Sequence, residues 1–161
     1  MTYTITQADL KAAKPCPGRH KEILRLIKIW PASAEDAFAA GASVDDVLWI
    51  AGRMAENDAE LKRRLRHAAA DIAERVLPIF QDRFPSDMRV RDCIRAIRLY
   101  AEKRISTEEL DAARAAAGAA WEAARDAARD AARNSERKAQ QEIICRWLGA
   151  TPPAVNLEAA A

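Results

Sequence analysis

The chain has 161 residues, enough for one domain, or one domain with a small appended subdomain, and for a core that needs no covalent staples. Its 26 Lys and Arg against 24 Asp and Glu leave a net charge of +2, too small to argue for a polyanionic partner on overall electrostatics, so any basic surface must be local. Three cysteines, Cys16, Cys93 and Cys145, are odd in number and widely spaced with no signal peptide before them; no disulfide scaffold is needed, a reducing cytosol is the expected compartment, and no apolar run reaches membrane-spanning length.

Helix-start signals divide the chain. A Ser or Thr followed three residues later by an acid satisfies the free N–H groups of a helix N-terminus, and four such boxes occur: Thr6 with Asp9, Ser33 with Asp36, Ser43 with Asp46, and Ser106 with Glu109. The first predicts a short helix that stops at Pro15-Cys16-Pro17-Gly18; the next runs from about Arg19 to Trp30 before Pro31. Short helices follow at Ala34 to Ala40 and Val44 to Met54, separated by Gly41. From about Asn57 a longer amphipathic helix carries Leu61, Leu65, Ala69, Ile72 and Val76 on one stripe, and Pro78 predicts a kink or stop near Leu77. After the turn Phe84-Pro85-Ser86, Asp87 is the expected N-cap of a helix through Lys103 that buries Val90, Ile94, Ile97 and Ala101. The last helix begins after Ser106 and continues to Leu148, ended by Gly149 and Pro152-Pro153. Its stretch from Ala112 to Arg133 repeats Ala pairs every three or four residues, and small side chains of high helix propensity allow a close approach of neighbouring helices.

The expected fold is therefore an all-α helical bundle of about six or seven helices with a long Ala-rich C-terminal helix. Residues 1–55 read as a small N-terminal helical module, 56–150 as the helical body and 151–161 as a disordered tail.

The search for chemistry is mostly negative. Cys16 and His20 lie four apart, but Pro17-Gly18 intervenes and no second Cys/His pair exists, so zinc binding is disfavoured. Cys93 and Cys145 fall on or beside apolar helical faces, where a thiol acts as a small hydrophobe. His67 follows a basic run with no nucleophile or carboxylate partner evident in sequence. With five glycines and none grouped, the chain has no phosphate-cradling loop. No catalytic constellation, cofactor site or metal site is predicted, and an enzyme is the disfavoured class.

Two basic clusters remain: Lys62, Arg63, Arg64, Arg66 and His67 on one helix, and Arg89, Arg91, Arg95 and Arg98 on the next. An antiparallel pair of these helices would merge them into one face. Neither cluster interleaves aromatics or Asn/Gln base readers, so a solvated face or an internal ion-pair network is favoured over nucleic-acid binding. Of the four tryptophans, Trp30, Trp49 and Trp147 read as core, and Trp121 on the Ala-rich helix is the interface candidate.

The segment from Val76 to Trp147 resembles the immunity-protein family associated with bacterial polymorphic toxin systems and its phage-encoded relatives. In that family a Phe/Tyr-Pro-x-Asp-x-Arg turn precedes an Ala-Ile helix and Ala-rich helices follow. Here Phe84, Pro85, Asp87 and Arg89 match the turn and Ile94, Ala96 and Ile97 the helix. The His residues common in the family's last helix are absent, with Trp121 and Trp147 in that region instead. Leu10, Cys16, Ile27, Val44, Asp45 and Trp49 carry a fainter resemblance to a helical module found at the front of phage proteins. Together these resemblances imply a non-enzymatic inhibitor, immunity-protein-like or a phage-encoded anti-defence protein, that occludes a bacterial toxin or defence component in the cytoplasm. A homodimer through the Ala seam is compatible with that role. The residues expected to meet the partner are Arg63, Arg66, Asp87, Arg89, Arg91, Arg95 and Trp121. The competing expectations are a nucleic-acid-binding protein using the basic faces and a phage structural or assembly protein.

Overall fold

The computed structural model describes residues 2–128 and 133–151, and the side chains of 83, 119–136 and 138 lie outside that description. In chain order the elements are β1 (Thr4–Ile5), α1 (Gln7–Ala12), α2 (Pro17–Leu26), β2 (Ala32–Ser33), α3 (Ala34–Ala39), α4 (Val44–Met54), α5 (Ala59–Arg83), α6 (Arg89–Ala101), α7 (Thr107–Ala128) and α8 (Arg133–Leu148). The class is all-α, as expected. Two-residue strands, paired antiparallel as Thr4 with Ser33 and Ile5 with Ala32, are the addition that helix-start signals could not reveal. The helix expected from Ser106 to Leu148 is described as α7 and α8; residues 129–132 between them, and the expected tail from 152 onward, lie outside the described residues.

Local chemistry explains the helix starts. Thr6, Ser33 and Ser43 each accept a hydrogen bond from the backbone N–H three residues on, and Asp9, Asp36 and Asp46 each accept one from the N–H of the cap residue. Ser106 and Glu109 make the same reciprocal pair, at 2.8 and 3.2 Å. At the other end of α3, Gly41 adopts φ +89°, and the N–H groups of Gly41 and Ala42 donate to Phe38 and Ala37. That left-handed closure favours glycine.

Three boundaries differ from the sequence reading. The helix expected from Arg19 to Trp30 is α2, Pro17–Leu26: Pro17 sits in its first turn, where a missing N–H costs nothing, and the chain is already extended at Ile27. Pro78 lies inside α5, which continues to Arg83. Leu77 and Phe80 are buried on either side of it, so tertiary packing outweighs the lost backbone donor. The N-cap of α6 is Met88, not Asp87, and it makes no side-chain cap. Asp87 acts from one residue earlier: Oδ1 accepts from the Arg89 N–H at 3.1 Å, while the Asp87 N–H donates to the Phe84 carbonyl to close the turn.

By their contacts the elements gather into two compact units, one from the stretches Met1–Leu61 and Ala139–Ala161, the other Lys62–Lys138. The first is discontinuous in sequence. Leu10, Ile23, Leu61, Ile144 and Cys145 are its most deeply buried large side chains, and each aliphatic one contributes about 1.5–3 kcal/mol. The Tyr3 N–H donates to the Leu148 carbonyl at 2.9 Å and Thr2 Oγ1 to the Gly149 carbonyl, so the beginning and end of this unit are tied together. Arg19 at the start of α2 grips Asp46 at the start of α4 through Nε at 2.6 Å and through Nη2.

The second unit has its core between α5 and α6. Ala70, Leu77, Phe80, Val90 and Ile94 form the buried cluster, with Ala73, Phe84 and Ile97 packed against it and the Phe80 and Phe84 rings 5.2 Å apart. Leu110 and Ala117 bury one stripe of α7. Ala112, Ala115, Ala116 and Gly118 remain exposed on the rest of its described surface.

Candidate protein-binding face

The charged residues of the second unit are distributed unevenly. Residues 62–138 contain 18 Lys and Arg against 13 Asp and Glu, whereas the remaining stretches contain 8 against 11. A net charge of +2 for the whole chain therefore conceals a basic unit.

The buried stripe that holds α5 against α6 also fixes which of their charges meet. Arg98 Nη2 reaches Asp71 Oδ1 at 2.7 Å and Glu74 Oε2 at 2.6 Å, and Glu102 Oε1 accepts from Arg63 at 3.0 Å and lies 2.6 Å from His67 Nε2. Moving forward along α6 thus moves backward along α5. The pair is antiparallel, and the expected merging of the two basic clusters takes the form of an ion-pair network interleaved with acids. The hydrogen bond from Arg98 holds the Glu74 carboxyl below its ordinary range, and His67 followed by Arg63 does the same for Glu102. Arg66 completes this end by placing its guanidinium 4.4 Å from the centre of the Tyr100 ring.

The nominated residues are thereby sorted. Arg63 and Arg66 lie near the C-terminal end of α6. Asp87 and Arg89 lie at its N-terminal end, about 18 Å away for 13 helical residues, and are bound to each other at 2.6 Å. The Arg89 hydrogen bond lowers the Asp87 carboxyl pKa below its ordinary value. Arg91 and Arg95 stand one turn apart on α6, both exposed and without an ion pair among the described residues. Trp121 lies in α7, but its side chain is outside the described ones.

Sequence reasoning missed the partner of His67 and the bridge from Arg98. Their acids lie 35 and 24 to 27 residues away, and no spacing rule reaches that far. It also missed the exposure of Trp49, which is 40 % accessible on α4, alongside Ile29 at 75 % in the loop before β2. Trp30 is half-buried and its indole N–H donates to the Ile27 carbonyl at 3.1 Å; Trp147 is half-buried too.

The described residues hold no group of three His, Cys, Asp or Glu side chains placed to bind a metal ion, and no described helix is long and apolar enough to cross a membrane. Burial pushes the Cys145 thiol up to about 11, and desolvation raises Cys93 as well, so neither is primed as a nucleophile. These features define an all-α scaffold in which part of the charge is paired between α5 and α6. The sequence model of the Imm-5 like putative immunity protein matches residues 56–145, more than half of the chain, and the chain belongs to that family. The match takes in α5, α6, α7 and most of α8, including the turn from Phe84 to Arg89. No curated protein and no solved structure matches the chain.

Proposed function

We propose that this chain is an immunity-type inhibitor: it binds a bacterial protein target, a toxin or a component of a defence system, and blocks it by occlusion without catalysing a reaction. The observation that carries this reading is the family match over residues 56–145, which includes the α5–α6 pair with its exposed Arg91 and Arg95. The contact is assigned to α6 and the adjoining part of α5, with Arg91 and Arg95 at its centre, Asp87 and Arg89 at one end and Arg63 and Arg66 at the other. Trp121 extends the assignment to α7. A phage or prophage source and a cytoplasmic site of action suit such a role.

The test is growth protection. Bacteria producing a toxin encoded beside this protein should survive when it is co-expressed, and the two chains should co-elute in fixed ratio after nuclease treatment. Survival that requires turnover of a small molecule, or a complex that nuclease dissolves, would refute occlusion. The basic surplus of residues 62–138 favours nucleic acid as the second reading, and the same nuclease step separates the two.

A further inference from the structure

Most of the described basic side chains of α5 and α6 have tasks within the fold. Arg63 and His67 hold Glu102, Arg66 covers Tyr100, Arg89 closes on Asp87, and Arg98 bridges Asp71 and Glu74. Arg91 and Arg95 have none among the described residues. Asp92, which lies between them in sequence, is also exposed and makes no ion pair among the described residues. Two like charges at four-residue spacing repel, and Arg91 stands in the first turn of α6, where the helix field favours acids over bases. Among the described residues neither guanidinium meets a partner that would hold the fold. Positions that break a local rule without internal compensation are where a functional demand is expected.

One turn before Arg91, Met88 is 39 % exposed, one of three large apolar side chains exposed to this degree among the described residues. Met88, Arg91 and Arg95 therefore present an apolar contact followed by two forked cations over about 10 Å of helix. A guanidinium binds a carboxylate through two parallel hydrogen bonds, and the basic surplus of residues 62–138 attracts anions from a distance. Nucleic acid fits this strip less well. From Arg89 to Ala101 there is no Asn or Gln to read a base, and the one aromatic ring, Tyr100, is already covered by Arg66.

We infer that the α6 strip of Met88, Arg91 and Arg95 is the docking surface for an acidic segment of the protein target, which seats two carboxylates about 6 Å apart on the arginines and an apolar side chain on Met88. This inference rests on the immunity-type reading and specifies the chemistry of the partner.

The test uses the full chain and two fluorescent probes: a helical peptide with Glu at four-residue spacing and a Leu one turn away, and a DNA duplex of similar length. The peptide should bind, more weakly as salt rises, and Arg91→Ala with Arg95→Ala should reduce its affinity about tenfold. A control pair, Lys21→Ala with Lys28→Ala, removes two exposed charges outside α5 and α6 and should change affinity less than about twofold. Thermal unfolding of the Arg91/Arg95 variant should occur at or above the wild-type temperature, because a repulsion has been removed. Equal losses in both variants, no peptide binding by the wild type, tighter binding of the duplex than of the peptide, or a lowered unfolding temperature would each overturn the inference. Growth protection by the wild type reads the parent proposal separately. Protection that survives in a variant that no longer binds the peptide refutes this docking surface alone, whereas absence of protection by the wild type refutes the immunity-type reading.

Discussion

Asp46 serves two structures at once: it accepts the capping bond from the Ser43 N–H at the start of α4, and it receives the Arg19 guanidinium from α2. Burial pushes its carboxyl pKa up, but the hydrogen bonds from Arg19 and Ser43 outweigh that and hold it below the ordinary 3.8. A carboxyl depressed in the folded state stabilises the fold fully above its unfolded pKa and loses that contribution as pH falls through the folded one. Asp9 and Asp36 are depressed by their capping bonds to Thr6 and Ser33, so acid acts on all three in the same direction. Asp46→Asn should therefore cost about 1–2 kcal/mol at neutral pH, with the difference from wild type shrinking below pH 3.8. Urea titrations of both proteins at neutral pH and near pH 3 measure this; a gap that stays constant would show that the lost charge is not its source.

At the scale of the element, Pro78 shows tertiary packing overriding a local preference. It is exposed, yet Leu77 and Phe80 beside it are buried and keep α5 helical to Arg83. Pro78→Ala should restore a backbone donor without disturbing the core and raise stability by roughly 1–3 kcal/mol, visible as a higher melting temperature. A lower melting temperature would mean that the proline shapes a bend the core requires. The capping boxes were legible because their partners lie three residues apart, and α4 matches its expected span from Val44 to Met54. The α6 start was misread by one residue because Asp87 accepts the Arg89 N–H from the turn rather than from the N-cap position. Arg91 and Arg95 were legible as candidates, but only the partners of Arg63, Arg89 and Arg98, two of them far along the chain, distinguish them from their structural neighbours. The immunity-like resemblance rested on Phe84, Pro85, Asp87, Arg89 and the α6 residues, all within the matched span 56–145.

For the whole molecule, the consequential fact is that one unit is assembled from both ends of the described chain. Ile144 is fully buried in it, so Ile144→Ala should cost about 2–5 kcal/mol. Hydrogen exchange followed by mass spectrometry should show protection lost in α1 to α4 more than in α5 to α7; uniform loss would mean that the two units unfold as one. The tie between Tyr3 and Leu148 also bears on how the protein is made. A ribosome releases residues 2–61 long before it reaches Ile143, Ile144 and Leu148, so the α1–α4 segment must wait with an unfinished apolar surface until α8 emerges. A message truncated before Ile143 would yield a product that still contains most of α5 to α7 but cannot close its first unit, and intracellular proteases would find it by that exposed surface. The unit that holds α1 to α4 is thus completed only once α8 is present.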